Sequence, residues 1–179
     1  MATRQSTGSL TFIEQARRAQ LIEVTIAMVA EHGYSGTSLS RIAGGAGITK
    51  AAVLYHFPTK DAVVDAAYQH VLTALVTRLA GAVEAADLAH GPAVYVRTMI
   101  AHLHEFPEHT RMLTEALTNA ATQEQDTSAR WQGLAQIMAA ARVARGLDGD
   151  ADLRTLAIVV GGAIDAIIGE RLRDPSYDT

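Results

Sequence analysis

The chain has 179 residues, of which 49% are hydrophobic and 19% charged, and it contains no cysteine. This length and composition allow a sizeable buried core and argue against global disorder, while the lack of cysteine excludes disulfides, thiolate metal sites and cysteine nucleophiles. The net charge of −4 is uneven, because residues 1–70 hold six basic and five acidic side chains whereas the rest holds nine and fourteen. This asymmetry suggests that the N-terminal part faces a nucleic acid and that the rest of the chain is acidic.

The chain's N-terminus and its apolar runs favour a cytoplasmic protein. No basic segment followed by an apolar one opens the sequence, so no secretory signal is expected. The longest apolar stretch, LAIVVGGAIDAIIG, contains Asp165 and is too short to cross a bilayer comfortably.

Apolar residues at helical spacing predict an all-α fold, since no run alternates apolar and polar residues as a half-buried strand would. The polar segment 1–10 is expected to form a flexible arm. The first helix is predicted from Thr11 to His32, and Gly33 supplies a left-handed residue at its end.

Three further helices are predicted in the N-terminal half. Thr37 or Ser38 can cap a short second helix that ends near Gly44. Thr49 and Thr59 are placed to cap a third helix over residues 50–56 and a long fourth helix over residues 60–87.

The second and third helices, with the glycine-containing turn between them, have the signature of a helix-turn-helix. Gly47 stands where the turn can demand a left-handed backbone. The third helix can approach a major groove because Ala51 and Ala52 are small, and Lys50 can donate to guanine. Hydroxyls and cations around this edge suit phosphate. The predicted DNA contacts are Thr37, Ser38, Ser40, Thr49, Lys50, Ala51, Ala52, Tyr55, His56 and Lys60. Ordinary packed helices joined by a glycine turn remain the alternative at this point.

The segment GYSGTSLSRIAGGAGITKAAVLYHFPTKDAVVDA resembles the DNA-binding segment of the tetracycline-repressor-like (TetR) family of transcriptional regulators. The resemblance covers about residues 11–70. The residues that carry it are Gly33-Tyr34, Thr37-Ser38, Ile42-Ala43, Ala46-Gly47-Ile48-Thr49, Tyr55-His56-Phe57 and Lys60. One position departs from the family pattern, because Leu54 stands where the family usually carries a tyrosine, and a hydroxyl contact is lost there.

The resemblance implies the domain organisation. A helix-turn-helix DNA-binding domain is expected at residues 11–58, followed by a helical ligand-binding and dimerisation domain at residues 59–179, with the long fourth helix as the connection. In that second domain, periodicity predicts four helices at about 93–106, 108–121, 128–145 and 151–173.

The last predicted helix is the candidate dimer interface, because it is apolar over much of its surface and its glycines permit close approach of a partner helix. The residues predicted for that interface are Leu153, Leu156, Val160, Gly161, Ile164, Ile167 and Ile168. The resemblance favours an interface shared with the helix at 128–145. Burial of the last helix within one subunit is the alternative reading.

The middle helices combine aromatic residues with methionine, a lining that suits adaptable apolar ligands, and the resemblance implies a small-molecule pocket in this region. The candidate ligand-binding residues are Tyr95, Met99, His102, Phe106, Met112, Trp131 and Met138. A purely structural core is the alternative. His102, His104 and His109 are close in the sequence, but His102 and His104 lie on different sides of a helix, so no metal site is expected among the three. No cofactor is expected either.

The sequence therefore predicts a homodimeric transcriptional regulator, most simply a repressor that a small molecule releases from a double-stranded DNA operator. The ligand would shift the long fourth helix and so change the separation of the two recognition helices. The alternatives are a helical interaction module without DNA binding and a small helical enzyme that uses Glu105, His109 and Glu115. An enzyme is not expected, because no nucleophile motif, phosphate loop or metal spacing is present.

Overall fold

A computed structural model of the chain describes residues 11–122, 129–174 and 176–177, with side chains left undescribed at 117–122 and 129–130. The predicted arm at 1–10 and the connection at 123–128 lie outside the described residues. The described residues contain eight α-helices, a 3-10 turn at Leu88–His90 and no strand. The α-helices are α1 Phe12–Gly36, α2 Leu39–Gly45, α3 Lys50–His56, α4 Lys60–Glu84, α5 Gly91–Glu105, α6 Pro107–Thr122, α7 Ala129–Ala144 and α8 Leu153–Arg173.

The start of α1 is fixed by a capping box. The Thr11 hydroxyl accepts from the Glu14 N–H at 3.3 Å, and the Glu14 carboxylate accepts from the Thr11 N–H at 2.8 Å. Near the other end, Gly33 has φ 68° and interrupts the helical conformation, as predicted. One further turn follows this kink, so α1 extends to Gly36 instead of ending at His32.

Side-chain caps also set the starts of the next helices. Ser38 caps α2 and Thr49 caps α3, each accepting from the main-chain N–H three residues on. Thr59 accepts in the same way from Ala62 at the start of α4. Thr37 does not cap α2, because its buried hydroxyl donates to the carbonyl of Gly33 at 2.8 Å.

The chain divides into two compact units, one ending at Tyr68 and the other beginning at Gln69, so the division falls inside α4. The boundary predicted at residues 58–59 stays a prediction. In the N-terminal unit, α1, α2, α3 and the start of α4 enclose one apolar cluster. Its buried members are Leu21, Ile42, Ala43, Ala46, Val53, Phe57 and Val63.

The C-terminal unit buries one face of each of its helices. Buried apolar side chains come from the end of α4 and from α5, α6, α7 and α8: Val71, Leu75, Leu79, Leu103, Met112, Leu134, Ala141, Ala157 and Ile164. The Arg78 guanidinium of α4 lies 2.5 Å from the Glu105 carboxylate of α5. None of the helices in the described part of the chain is long and apolar enough to span a membrane.

Candidate functional site

The turn between α2 and α3 is closed by its own main chain. The N–H of Ile48 donates to the carbonyl of Ala43 at 3.0 Å, and the N–H of Ala46 donates to the carbonyl of Ile42 at 2.9 Å. Gly47, between them, has φ 66°, a conformation that glycine adopts without steric cost. The turn therefore ends directly at the cap of α3 and fixes the angle at which α3 leaves it.

The buried side of α3 anchors it to the rest of the N-terminal unit. Val53 is fully buried and Phe57, which follows the helix, is 2% exposed. On the other side of the turn, α2 approaches α1 so closely that a Cβ on Gly45 would lie 2.9 Å from a methyl group of Val24. These contacts make the helix pair a rigid support for whatever α3 presents outward.

The opposite side of α3 is a solvent-facing surface formed by four residues, Lys50, Ala51, Leu54 and Tyr55. Their spacing places them on one face of the helix. Leu54 is 40% exposed and Tyr55 is 73% exposed, although both are large side chains. We call these four residues the α3 face. Its first turn carries only a lysine and a small alanine, so backbone and bases can approach each other closely there.

Two cations next to the α3 face are held by main-chain carbonyls and aromatic rings. Arg18 donates to the carbonyl of His56, and its guanidinium carbon lies 4.0 Å from the ring centre of Phe57. Lys60 donates to the carbonyl of Tyr34 at 2.6 Å and lies 3.7 Å over that ring. Because neither partner is a carboxylate, both positive charges remain uncompensated.

Two further cations, Arg41 and Lys50, also have no carboxylate partner. Arg41 donates to the carbonyl of Gly36 at 2.7 Å. Lys50 makes no hydrogen bond or ion pair with any other residue in the described part of the chain. The helix-turn-helix therefore carries exposed positive charge despite the acidic balance of the whole chain, which is the charge distribution that DNA phosphates attract.

Tyr55 is oriented by an acidic residue that the sequence patterns did not single out. Its hydroxyl donates to the Glu14 carboxylate at 2.8 Å, across 41 positions of the sequence. This hydrogen bond raises the pKa of Tyr55, and the pKa of Glu14 is lowered first by the Thr11 main-chain bond and then by Tyr55. The Thr-x-x-Glu pattern could have identified the cap at Thr11, but no local pattern links Glu14 to Tyr55.

The structure leaves most of the predicted DNA contacts accessible. Exposed members of that set are Ser38, Ser40, Thr49, Lys50, Ala51 and Tyr55, and partly exposed ones are Ala52, His56 and Lys60. Thr37 differs from the others, because it is 2% exposed and its hydroxyl is bonded to Gly33. Thr37 thus supports the junction between α1 and α2.

A partly open cavity of about 250 Å³ lies between α5, α6 and α8 of the C-terminal unit. None of the seven residues predicted to bind a ligand lines it. His102 and Met112 are buried; Tyr95, Met99, Trp131 and Met138 are partly exposed, and Phe106 is 37% exposed. The lining comes instead from neighbouring positions of α5 and α6 and from the end of α8.

His102 belongs to a ring cluster inside this unit. Its ring centre lies 4.8 Å from that of Phe106 and 5.9 Å from that of His109. Neither ring nitrogen of His102 has a hydrogen-bond partner among the described residues. Burial, followed by the charge of Arg78, lowers the pKa of His102 and so favours the neutral form of the ring.

The predicted dimer-interface residues fall on two sides of α8. Gly161 and Ile164 are buried in their own chain, where a Cβ on Gly161 would lie 1.8 Å from the Trp131 ring. Leu156 is 48% exposed, and Leu153, Val160, Ile167 and Ile168 are partly exposed. Val159, which was not predicted, is 61% exposed.

Comparison with known proteins places the clearest similarity in the N-terminal unit. Residues 21–67 match the family described as bacterial regulatory proteins, tetR family. Over 60 residues the chain is 40% identical to the HTH-type transcriptional regulator BetI of Burkholderia thailandensis and 37% identical to BetI of Paraburkholderia phymatum. Each match covers 34% of this chain and 31% of the relative, so the aligned part spans about a third of the relatives' length.

Solved structures extend the similarity of fold to the C-terminal unit. A putative transcriptional regulator from Pseudomonas aeruginosa PAO1 has a TM-score of 0.78 at 22% identity, over 99% of this chain and 88% of that one. The transcriptional regulator FadR from Bacillus subtilis, solved in complex with stearoyl-CoA, has a TM-score of 0.71 at 16% identity, over 89% and 90% of the two chains. At these identities the similarity shows the shared fold alone.

Proposed function

We propose that this chain, whose residues 21–67 match the tetR family of bacterial regulatory proteins, is a member of that family and acts as a cytoplasmic, homodimeric transcriptional repressor that a small molecule releases from its operator. The observation that carries the proposal is the α3 face, held rigidly by a helix-turn-helix and surrounded by cations without carboxylate partners. No catalytic step is assigned to the chain.

The α3 face is the part that we propose enters the major groove. Ala51 lets the helix approach closely, and Lys50 is free to donate to guanine or to a phosphate. Ser38, Ser40 and Thr49 offer hydroxyl groups for phosphate contacts that fix the register of the helix on the duplex.

Dimerisation is proposed because one helix-turn-helix contacts too few base pairs for a specific site. The exposed side of α8 is the proposed interface. It consists of Leu156, Val159, Gly162, Ala163 and Ala166, which follow one another at helical spacing and expose mostly apolar or small groups. Two recognition helices in one dimer would read half-sites about 34–36 Å apart, or a multiple of that distance.

The proposed response to a ligand uses α4, which continues from Lys60 to Glu84 and supplies residues to both units. A ligand in the C-terminal unit releases DNA only if it binds more tightly to the conformation whose recognition helices cannot reach both half-sites. We propose that a displacement of α4 changes that separation.

Replacement of Lys50 with alanine is expected to weaken binding to the operator by about tenfold or more, because each subunit loses one base or phosphate contact. Fluorescence anisotropy of labelled DNA from the region upstream of the chain's own gene measures this effect at several salt concentrations. A greater loss on this DNA than on unrelated DNA would identify a base contact, and an equal loss on both would identify a phosphate contact.

The matched control is Arg145→Ala, which removes the same charge from an exposed position of the C-terminal unit. It is expected to leave operator affinity unchanged. If the unmodified protein forms no specific, salt-sensitive complex with any candidate operator, the proposed function is wrong and a helical interaction module takes its place.

A further inference from the structure

The cavity of the C-terminal unit has an apolar wall and a cationic edge. Its apolar lining consists of Ile100, Leu103, Pro107, Ile167, Ile168 and Leu172. Thr110 also contributes, but its hydroxyl donates to the carbonyls of Leu103 and Phe106, at 2.7 and 3.0 Å. The wall is therefore suited to the hydrocarbon part of a ligand.

The cationic edge has no acidic counterpart in the lining. Arg111 and Arg171 line the cavity together with His104, and no aspartate or glutamate does. Arg111 makes no hydrogen bond or ion pair with another residue of the described chain. Arg171 donates to the carbonyl of Tyr177 at 2.7 Å, which orients the guanidinium and leaves its charge uncompensated.

The chemistry of this edge selects for an anion. A guanidinium presents its N–H groups in a planar fork that matches a carboxylate and forms shorter, stronger bonds than neutral donors do. The volume of about 250 Å³ corresponds to roughly eight water molecules at about 30 Å³ each. An organic anion with a short apolar part therefore fits within this volume.

We propose that this cavity binds a small organic acid, with the carboxylate against Arg111 and Arg171 and the hydrocarbon against the apolar wall. The inference rests on the proposed function for its biological role, because such an acid would be the effector. The binding itself needs no DNA and is measured without it.

Octanoate is the probe, and octanamide is its neutral counterpart of nearly the same shape. Isothermal titration calorimetry on the full chain is expected to show saturable binding of octanoate and at least tenfold weaker binding of octanamide. Arg111→Gln is expected to reduce octanoate affinity by about ten- to a hundredfold, as loss of a hydrogen bond to a charged group does. Arg97→Gln, at an exposed position of α5 outside the lining, is the control and is expected to have no effect.

Three results would overturn the inference: no saturable binding of octanoate, equal binding of the acid and the amide, or an unchanged affinity in Arg111→Gln. The proposed function fails separately, by the absence of a specific DNA complex. Octanoate binding with no effect on a formed operator complex would leave the acid site in place and reject its role as an effector site.

A second inference concerns Leu54 and is independent of the cavity. Its side chain is 40% exposed on the α3 face, one turn beyond Ala51 and next to Tyr55, and has no polar group to contact phosphate. In a major groove the apolar group within reach of such a side chain is the 5-methyl group of thymine. We infer that Leu54 reads a thymine methyl group, and this also rests on the proposed function.

The test removes one methyl group at a time from the operator by replacing individual thymines with deoxyuridine. At one or two positions of a half-site, binding of the unmodified protein is expected to weaken by roughly fourfold, the effect of exposing one methyl group. Leu54→Ala is expected to bind operator DNA more weakly and to lose this sensitivity at those positions. Sensitivity that is absent at every thymine, or unchanged in Leu54→Ala, would overturn the inference without affecting the Lys50 result.

Discussion

Replacement of Phe57 with alanine is expected to destabilise the N-terminal unit by about 3–5 kcal/mol, the usual effect of truncating a buried phenylalanine. Phe57 is 2% exposed and lies in the same apolar cluster as Leu21 and Ile42, so truncation leaves a cavity inside the cluster that α1, α2, α3 and the start of α4 enclose. The described part of this unit, residues 11–68, is small, and a domain of its size is stabilised by only roughly 3–9 kcal/mol in total. The variant is therefore expected to lose much of its folded helix-turn-helix and, with it, the DNA binding that we propose.

The only tryptophan of the chain separates the two units experimentally. Trp131 lies in the C-terminal unit, so its fluorescence reports unfolding there, while the far-ultraviolet circular dichroism signal reports all helices. In Phe57→Ala we expect part of the helical signal to be lost at denaturant concentrations that leave Trp131 emission unchanged. Tyr55→Ala removes a large ring that is 73% exposed and should change the free energy of unfolding by only about 0.5 kcal/mol. Equal effects of the two substitutions would contradict the proposed packing of Phe57.

The N-terminal unit was largely predictable because its elements depend on local chemistry. Hydroxyl caps at Thr49 and Thr59 and the left-handed glycines Gly33 and Gly47 act within a few residues, and all four occupy the predicted places. The resemblance to the TetR family is confirmed, because the family match falls on this segment. Helix α1 ends at Gly36 and not at the predicted His32, because one further turn follows the kink at Gly33. Of the two caps predicted for α2, Ser38 caps the helix, since the Thr37 hydroxyl is bonded to the carbonyl of Gly33.

The contacts that orient the α3 face were not predictable in the same way. Arg18 reaches the carbonyl of His56 across 38 positions, and Tyr55 reaches Glu14 across 41. Such pairs depend on how helices pack, and hydrophobic periodicity describes only which face of a helix is buried. The sequence therefore identified the cationic character of the surface without identifying which partners hold each cation.

The cavity of the C-terminal unit is lined by residues that the composition did not single out. The ligand-site prediction rested on aromatic and methionine side chains and stays a prediction; among these side chains, His102 and Met112 are buried. The cavity is lined instead by ordinary aliphatic residues and by Arg111 and Arg171. An arginine in an amphipathic helix looks the same in the sequence whether it faces solvent or borders a cavity, so only the tertiary structure distinguishes the two.

Gly161 is the position in this unit where a single added methyl group is expected to have the largest effect. A Cβ there would lie 1.8 Å from Cζ3 of Trp131 and 2.6 Å from Cε3, well inside van der Waals contact. The indole ring must move as a whole to relieve the overlap, because both atoms belong to it. Gly161→Ala is therefore expected to lower the free energy of unfolding by about 1–3 kcal/mol, despite the better helix propensity of alanine.

Gly169→Ala in the same helix is the matched control. A Cβ at Gly169 meets nothing within 4 Å, so this substitution should stabilise the chain by about 0.5–1 kcal/mol through helix propensity alone. Urea unfolding followed by circular dichroism measures both variants, and displacement of the ring in Gly161→Ala should also shift Trp131 emission. Trp131→Leu combined with Gly161→Ala should be more stable than the sum of the two single effects predicts, because the smaller side chain leaves room for the new methyl group. If the effects of the two substitutions on the free energy of unfolding were additive, the Trp131 ring would not pack against Gly161. This glycine would then be available for the approach of a partner helix.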